Sequence, residues 1–521
     1  MTNAVKSFKQ KVVLFFGLMC AGAVGSLVFP PFVNSLAGYA ALTLFLFYLF
    51  YGERNKKELF FMAYAFGFGF YAVGFSWINN ALLIDDNRFA AFVPVVFFAT
   101  GGFFGLFWAV PAALSGKIKE RYGRMLAFCA AFVFFEWVRS FIFTGFPWNL
   151  LGTALSFDVR FIQGAAYVGT YGLSLMLMMF LCGVALLGMS VKERIFLRGS
   201  LFFLFIPLIF VFGMGYGASE LEKGESMKVR LVQPSIPQTL KWHKAVAYKN
   251  FREYIDLSKG ENEESGLNLD DVDLVFWGET ACPYFLDYDR EHLQELTEAV
   301  PQNGFLVTGL LRVGMENGKT TPYNSMFVIN GKGEIKDYYD KAHLVPFGEY
   351  LPFRAYLPDF MKPIAGVIGD LGRGEKYKLI KVDGLPVMGG AICYESIFPS
   401  EVLNKSEKPE ILAVLANDGW YGVSAGPYQH LAAAVMRAVE EGITVIRSAN
   451  TGISAVIAPN GEVLGRIELN EKGAKDVKID FKLSKNTIYG QWGNFVLMGL
   501  LALVLLGVVV SVSTGNSYNR K

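Results

Sequence analysis

Residues 12–52 read VVLFFGLMCAGAVGSLVFPPFVNSLAGYAALTLFLFYLFYG, and none of them is Lys, Arg, Asp or Glu. A helix needs about 20 apolar residues to cross a bilayer, so this stretch is long enough for two helices. The sequence Phe-Pro-Pro-Phe-Val-Asn at 29–34 divides it, because proline ends a helix and favours a turn. The stretch therefore predicts a pair of membrane-spanning helices near the start of the chain.

The rest of the chain extends this pattern. Of its 521 residues 53% are hydrophobic and 18% are charged, whereas roughly 25% are charged in a soluble protein. Apolar runs predict six further spans, at about 59–78, 89–114, 125–146, 163–189, 197–217 and 493–512. The predicted fold class is thus a polytopic α-helical membrane protein with eight spans. Its predicted parts are a seven-helix domain at 1–218, a domain outside the bilayer at 227–485 and an eighth helix at 493–512.

The distribution of Lys and Arg predicts the orientation. Basic residues concentrate in alternate loops, at 6–11, 54–57, 117–124, 192–198 and 520–521. The intervening loops carry only Arg88 and Arg160. Because cytoplasmic loops are enriched in Lys and Arg, we expect both termini in the cytoplasm and residues 218–490 on the outer side.

Charge and cysteine content limit the partners. The formal net charge is only +2 and topology accounts for the basic residues, so no nucleic-acid partner is expected. The four histidines show no metal-ligand spacing, and no metal or other cofactor is predicted. Cys282 and Cys393 are the two cysteines of the predicted outer domain, where an oxidising environment would allow one disulfide between them.

Residues 227–485 show the short β-branched and aromatic runs of an α/β domain. A helix is predicted at 428–441, with Gly442 after its end. The stretch from 342 to 374 has no clear period, and loops of this length are commonly functional lids or binding loops. Strands are predicted at 227–233, 273–278, 305–313, 325–329, 335–339, 387–392, 411–416, 444–448 and 454–458, with hairpin turns at Asn330-Gly331 and Asn460-Gly461.

Three polar side chains lie where predicted strands end. They are Glu279, Lys341 and Cys393, and open α/β sheets place their sites at such strand ends. A thiol, a carboxylate and an ammonium together supply a nucleophile, a base and an oxyanion stabiliser for acyl transfer. Each also has a structural alternative: a buried thiol or the Cys282 disulfide for Cys393, an exposed carboxylate for Glu279, and a surface charge cluster for Lys341.

The sequence around these residues resembles the three signature blocks of the nitrilase superfamily. The whole chain, with seven spans before the outer domain and one after it, further resembles the bacterial apolipoprotein N-acyltransferase family. This resemblance implies an αββα sandwich inserted between membrane helices. The blocks are Trp277-Gly278-Glu279-Thr280, Asp340-Lys341-Ala342-His343-Leu344-Val345-Pro346-Phe347-Gly348-Glu349-Tyr350 and Gly390-Ala391-Ile392-Cys393-Tyr394-Glu395.

The resemblance implies a two-step acyl transfer in the bacterial inner membrane, with the catalytic domain on the periplasmic side. Cys393 would take an acyl chain from a phospholipid as a thioester, with Glu279 as general base and Lys341 as oxyanion stabiliser. The α-amino group of an N-terminal S-diacylglyceryl-cysteine on an apolipoprotein would then accept the chain. A monomer is expected. Supporting roles are implied for Glu349, Tyr394, Glu395, Trp242 and Trp420.

Several alternatives remain open at this point. Glu349 and Glu395 could bridge to a neighbouring Lys or Arg, and Trp242 and Trp420 could be ordinary core aromatics. Glu136 and Arg139 lie three apart, which favours a structural ion pair in the helix bundle. The rival functions are a membrane-tethered nitrilase-type amidase and an outer domain that only binds a ligand. Against the amidase, residues 351–356 and 360–367 are apolar loop segments that favour contact with acyl chains or membrane.

Overall fold

The computed structural model describes residues 8–518, apart from 34, 85–88, 191–196, 216–220, 261–266, 287, 317, 359–362 and 364–368. The chain divides into two compact units. One comprises 1–219 together with 492–521, and the other comprises 220–491. Each unit therefore has a core of its own.

The first unit is helical, and a helix lies at each of the eight segments predicted to span the bilayer. Its principal helices are α1 (Phe8–Gly25), α2 (Leu36–Phe50), α3 (Lys56–Gly74), α4 (Val93–Ser115), α5 (Arg121–Val138), the short α6 (Val159–Ile162), α7 (Ala165–Ser190), α8 (Leu197–Gly215) and, at the end of the chain, α14 (Asn494–Tyr518). Between α1 and α2 the chain turns at Pro30-Pro31, as the sequence predicts.

Four helices of the described residues are long and apolar enough to cross a membrane, and the count is five if a bent pair forms one span. The four are Lys9–Val28, Ala90–Ser115, Ala165–Met189 and Asn494–Ser513, and the bent pair is Lys56–Gly74 with Ser76–Leu83. Helix α2 and the apolar part of α8 are shorter, and α5 includes Arg121, Arg124 and Glu136. The length and apolar composition of these helices fit insertion into a membrane. The count of eight full spans stays a prediction.

The ion pair predicted between Glu136 and Arg139 is wrong. Both side chains are buried, but Glu136 Oε1 accepts a hydrogen bond from the Leu151 amide at 2.7 Å. Arg139 Nη1 donates to the Trp148 carbonyl at 2.7 Å, and its guanidinium lies over the Tyr71 ring. Arg139 is the C-cap of α5 and keeps helical dihedral angles, so the helical spacing is present but the two side chains bond to different backbone groups.

The second unit contains two six-stranded sheets, and each has parallel strands at its centre. The first sheet has the order β12-β1-β2-β3-β4-β5 and the second has the order β11-β10-β9-β8-β7-β6. Strands β1, β2 and β3 run parallel, as do β7, β8 and β9. The strands are β1 (Lys223–Gln233), β2 (Leu274–Phe276), β3 (Phe305–Glu316), β4 (Lys319–Asn330), β5 (Ile335–Asp340), β6 (Leu379–Ile380), β7 (Met388–Ile392), β8 (Ile411–Ala416), β9 (Thr444–Ala449), β10 (Ser454–Ile457), β11 (Val463–Ile467) and β12 (Gly473–Phe481).

Apolar side chains from both sheets form one core between them. Leu231 and Phe276 of the first sheet belong to the same cluster as Ile392 and Leu415 of the second. The outer face of the first sheet packs on α10 (Ala247–Lys259), and α12 (Ala425–Glu441) packs on β9. This helix–sheet–sheet–helix order is the one that the resemblance implied. The remaining helices of this part of the chain are α9 (Gln238–Lys241), α11 (Arg290–Leu296) and α13 (Ile488–Trp492).

Sequence reasoning identified the central strands and missed edge elements. Both predicted hairpins are present, since β4 pairs with β5 and β10 pairs with β11 in antiparallel register. The predicted helix at 428–441 begins three residues earlier, at Ala425. Strand β12 was not predicted, because this edge strand has exposed charged residues that weaken the apolar β signal. Strands β6 and β11 and helices α10 and α11 were also missed.

Candidate active site

The three predicted catalytic residues follow three different strands. Glu279 comes just after β2 and Lys341 directly after β5, both in the first sheet. Cys393 directly follows β7 of the second sheet. All three side chains are buried, with Lys341 only 1% exposed. The site therefore combines residues from both sheets, and neither sheet carries it alone.

A compact polar cluster surrounds the Lys341 ammonium. Its Nζ lies 2.9 Å from Glu349 Oε1 and 3.5 Å from Glu279 Oε1. Asn324 Nδ2 donates hydrogen bonds to Glu279 Oε1 at 2.7 Å and to Glu349 Oε1 at 3.2 Å. The Val345 amide donates to the other Glu349 oxygen at 2.8 Å. The predicted support of Lys341 by Glu349 is thus a direct contact, and the surface-cluster alternative for Lys341 is wrong.

These contacts fix the charge of Lys341. Burial alone would lower the pKa of its ammonium. Glu349 and Glu279 more than offset that effect, so the pKa lies above the usual lysine value. Lys341 is therefore a cation over the whole physiological pH range.

Cys393 occupies a sharp turn at the end of β7. Its backbone has φ of 54°, in the left-handed region that costs a non-glycine residue of order 1 kcal/mol. Its Sγ lies 3.9 Å from the Tyr421 hydroxyl. Cys393 and Cys282 are both free, so the disulfide alternative is wrong. The strained turn presents the thiol from the strand end, where a base and a cation also lie.

The surroundings of Cys393 favour its protonated thiol form. Burial raises the pKa of Cys393, Glu279 raises it further, and Lys341 lowers it only in part. At neutral pH the resting group is consequently a thiol. A thiolate is the form that attacks carbonyl carbon, so the predicted role of Cys393 as nucleophile would require a neighbouring proton acceptor. Glu279 is near enough to Cys393 to raise the pKa of its thiol, and it is the residue that the sequence predicts as the proton acceptor.

Glu395 joins the segments that carry Lys341 and Cys393. Its Oε1 accepts hydrogen bonds from the amides of Ala342 and His343 at 2.9 and 2.8 Å, and its Oε2 accepts from the Ile392 amide at 2.7 Å. Glu395 therefore bonds to backbone amides, in place of the Lys or Arg side chain that was the alternative. Tyr394 is buried, and its ring lies 5.2 Å from that of Phe398. Both residues shape the turn that holds the thiol.

Sequence reasoning gave no role to a buried network next to Cys393. Asp418 lies 2.6 Å from Arg447 Nη2 and 2.7 Å from His430 Nδ1, and His430 Nε2 lies 3.0 Å from the Cys393 carbonyl. Burial raises the pKa of Asp418, but Arg447 and His430 outweigh it and leave the pKa below its usual value. Burial and Arg447 lower the pKa of His430. Three different elements supply these residues, so no local motif could reveal them.

The same network contains a possible metal-ligand set. Ligand atoms of Cys393, Asp418 and His430 lie within 4.8 Å of one another. Both Asp418 oxygens and both His430 nitrogens already have hydrogen-bond or ion-pair partners in the chain. A metal would have to replace these contacts, and we assign none.

Lys241 is a second buried lysine that sequence reasoning missed. It ends helix α9, and its Nζ donates to the Glu279 carbonyl at 2.7 Å. Burial lowers the pKa of Lys241 to about 8, although Glu279 and Cys393 act to raise it. Most lysines in proteins are exposed, so the sequence alone gave no reason to expect Lys241 to be buried next to Glu279.

This shift predicts how pH changes stability. An unfolded lysine titrates near 10.5 and folded Lys241 at about 8, so the unfolded chain holds more protons between these values and stability rises with pH there. At pH 7 we expect Lys241→Met to raise the free energy of unfolding by about 2 kcal/mol, after allowance for one lost hydrogen bond. Thermal melting of the detergent-solubilised protein from pH 7 to 10 should show this advantage shrink to nothing. Lys249→Met, an exposed site on α10, is the control; a gain that is constant with pH would contradict the burial of a charge.

Glu279 lies in the wall of a small cleft. Its volume is about 60 Å³, and Glu279, Asn324 and Glu349 line it together with Trp242 and Trp420. The two tryptophans are half-buried cleft residues, so the core-aromatic alternative does not describe them. Of the loop at 342–374, Leu351 is buried and Tyr356 is 87% exposed. The predicted apolar segment at 360–367 lies almost entirely outside the described residues.

This fold and site define a class: a protein with apolar helices and a separate carbon–nitrogen hydrolase domain. Residues 228–489 match the carbon-nitrogen hydrolase family, and residues 21–183 match the apolipoprotein N-acyltransferase N-terminal domain. Curated relatives called apolipoprotein N-acyltransferase include one from Rickettsia typhi, 34% identical with 96% of this chain and 98% of the relative covered. Another, from Brucella melitensis, is 33% identical with 94% of each chain covered.

The chain belongs to the apolipoprotein N-acyltransferase family and is an acyltransferase enzyme. Among solved structures, the chain is similar to a CN-hydrolase superfamily protein from Xanthomonas campestris. It is 18% identical with a TM-score of 0.36, and the match covers 49% of this chain and 91% of that one.

Proposed function

We propose that the enzyme moves an acyl chain from a membrane phospholipid to the α-amino group of an S-diacylglyceryl-cysteine at the N-terminus of an apolipoprotein. The observation that carries this proposal is the Lys341 ammonium held between Glu279 and Glu349, in a site that also contains a buried, free thiol. The names of the relatives point to an apolipoprotein as the acceptor, and the apolar helices fit substrates that are anchored in a membrane.

In the first half-reaction Cys393 becomes acylated. Glu279 takes the thiol proton, the thiolate attacks the ester carbonyl of the phospholipid, and Lys341 stabilises the oxyanion that forms. The carbon–oxygen bond then breaks. Glu279 returns the proton to the departing alkoxide, which leaves as lysophospholipid, and the acyl chain stays on Cys393 as a thioester.

In the second half-reaction the neutral amine of the acceptor attacks the thioester carbonyl. Lys341 again stabilises the oxyanion, the carbon–sulfur bond breaks, and the amine proton passes through Glu279 to the departing thiolate. A thioester is reactive enough for amide formation without a nucleotide cofactor. This two-step scheme is a ping-pong exchange, since lysophospholipid leaves before the lipoprotein reacts.

The supporting residues take positions that serve both steps. Glu349 holds Lys341 in place, and Glu395 ties the Lys341 segment to the turn at Cys393. Trp242 and Trp420 border the cleft in which the reacting carbonyl would lie. We further propose that the catalytic domain lies on the periplasmic side of the inner membrane, where both lipid-anchored substrates are reached without drawing an acyl chain into water, at about 0.8 kcal/mol for each CH₂.

The test is acyl transfer with defined substrates. Purified enzyme in detergent receives a phospholipid and a diacylated lipopeptide with a free α-amino group, and mass spectrometry follows the lipopeptide. We expect one added acyl chain on the free amine and none on an N-acetylated control lipopeptide. Release of free fatty acid with the lipopeptide unchanged would instead favour the membrane-tethered amidase.

A further inference from the structure

Lys241 is buried without a carboxylate partner, which is rare for a lysine. Its side chain is 5% exposed, and its Nζ donates a hydrogen bond to the Glu279 carbonyl at 2.7 Å. Among the residues that the structure describes, no carboxylate forms an ion pair with this ammonium, whereas Lys341 has two carboxylates within 3.5 Å. Lysines are almost never fully buried unless they are paired, so the position of Lys241 requires a physical reason.

Stability does not supply that reason. Burial lowers the pKa of Lys241 to about 8, so at neutral pH the folded chain holds an ammonium in a place that favours the neutral amine. A methionine of similar length would fill the same space without a charge. Active sites commonly retain groups that lower the stability of the fold, which makes Lys241 a candidate for a functional role.

Lys241 lies beside the residues that are proposed to react. Glu279 and Cys393, which follow β2 and β7, are the two ionisable groups that face its ammonium from neighbouring elements, and both act to raise its pKa. Helix α9, which Lys241 ends, begins at Gln238 and is followed by Trp242, and both of these side chains line the cleft that contains Glu279. The buried charge is therefore part of the wall around the reacting groups.

The ammonium of Lys241 changes the charge balance around the thiol. Glu279 and Glu349 carry two negative charges against the single positive charge of Lys341. This excess opposes a thiolate, since Glu279 raises the pKa of Cys393 and Lys341 offsets the effect only in part. A second ammonium makes the group neutral. When the thiol proton then passes to Glu279, the new thiolate and the remaining carboxylate face two cations instead of one.

We propose that Lys241 is a positioning residue that supplies the second positive charge of the active site and so favours the thiolate of Cys393. The inference rests on the proposed function, because the thiolate matters only if Cys393 is the nucleophile. Lys241 does not line the cleft, and it acts through its charge and through the Glu279 carbonyl that it holds. The charge lowers stability and raises the acylation rate, and both effects disappear when the lysine loses its proton.

The experiment measures the acylation of Cys393 as a function of pH. Purified enzyme in detergent receives one phospholipid and no acceptor, and mass spectrometry follows formation of the acyl adduct from pH 7 to 10. At pH 7 we expect Lys241→Met to react on the order of tenfold more slowly than the wild type. This difference should shrink as the pH rises through about 8, where wild-type Lys241 loses its charge. Lys249→Met, an exposed position on α10, should follow the wild type at every pH.

A second variant separates the charge of Lys241 from its hydrogen bond. Lys241→Gln has an N–H group for the Glu279 carbonyl but no charge, so at pH 7 it should be slowed as Lys241→Met is. Because Lys241→Met should also melt at a higher temperature than the wild type at pH 7, misfolding would not account for its slower rate.

The outcomes distinguish this inference from the proposed function. An unchanged rate in Lys241→Met, a loss of rate that is the same at every pH, or a wild-type rate in Lys241→Gln would each overturn the charge role and leave the proposed function standing. No acyl adduct on the wild-type enzyme at any pH would overturn the proposed function itself.

Discussion

Replacement of Cys393 by serine should lower acyl transfer to the lipopeptide on the order of 10³-fold or more. Serine has nearly the shape of cysteine and can adopt the same turn, so the buried site should stay intact. Its hydroxyl is a much weaker acid than a thiol, and Glu279 cannot withdraw its proton to a comparable degree. The measurement is the initial rate of lipopeptide acylation, with the melting temperature of each variant beside it.

Cys20→Ser is the matched control for this variant. Cys20 is an exposed residue of α1, and it belongs neither to the cleft that contains Glu279 nor to the cluster around Lys341. We expect wild-type rates from it. If Cys393→Ser kept a rate within tenfold of the wild type while its melting temperature was unchanged, Cys393 would not be the nucleophile.

The second large effect is expected for Lys341→Met, on activity and on stability together. Removal of the ammonium leaves the buried carboxylates of Glu279 and Glu349 without their cation, at a cost of about 3–5 kcal/mol for an uncompensated buried charge. Loss of one oxyanion stabiliser lowers the rate on the order of 10²- to 10³-fold. Thermal unfolding and initial rates measure the two effects separately.

A double variant separates the structural role of Lys341 from its catalytic role. In Lys341→Met with Glu349→Gln, one of the two unpaired carboxylates is gone, so part of the lost stability should return. The rate should stay low, because the cation that faces the oxyanion is still missing. Recovery of both stability and rate in the double variant would show that Lys341 serves only to neutralise Glu349.

The sequence predicted the central part of the fold well because its signals are local. Central strands such as β8 are continuous apolar runs, and the predicted positions of Glu279, Lys341 and Cys393 follow from where β2, β5 and β7 end. The catalytic roles of these residues stay predictions, as do the side of the membrane and the count of eight spans. The structure adds that their side chains share one buried site.

What sequence reasoning missed depends on distant contacts. Lys241 becomes buried only because α9 lies against Glu279, whose carbonyl accepts a hydrogen bond from the Lys241 ammonium. The network of Asp418, His430 and Arg447 joins residues that no spacing relates. The direct pairing of Glu136 with Arg139 fails because each side chain bonds to a backbone group of the segment that follows α5, at Leu151 and Trp148.

The most direct test of the account is the mass of the enzyme after incubation with a single phospholipid and no acceptor. We expect one added acyl chain, located on Cys393. Neutral hydroxylamine should remove it, as it removes a thioester, and a diacylated lipopeptide added later should accept it. The Cys393→Ala variant should gain no mass. An acyl chain on another residue, or lipopeptide acylation that proceeds undiminished in Cys393→Ala, would contradict the account.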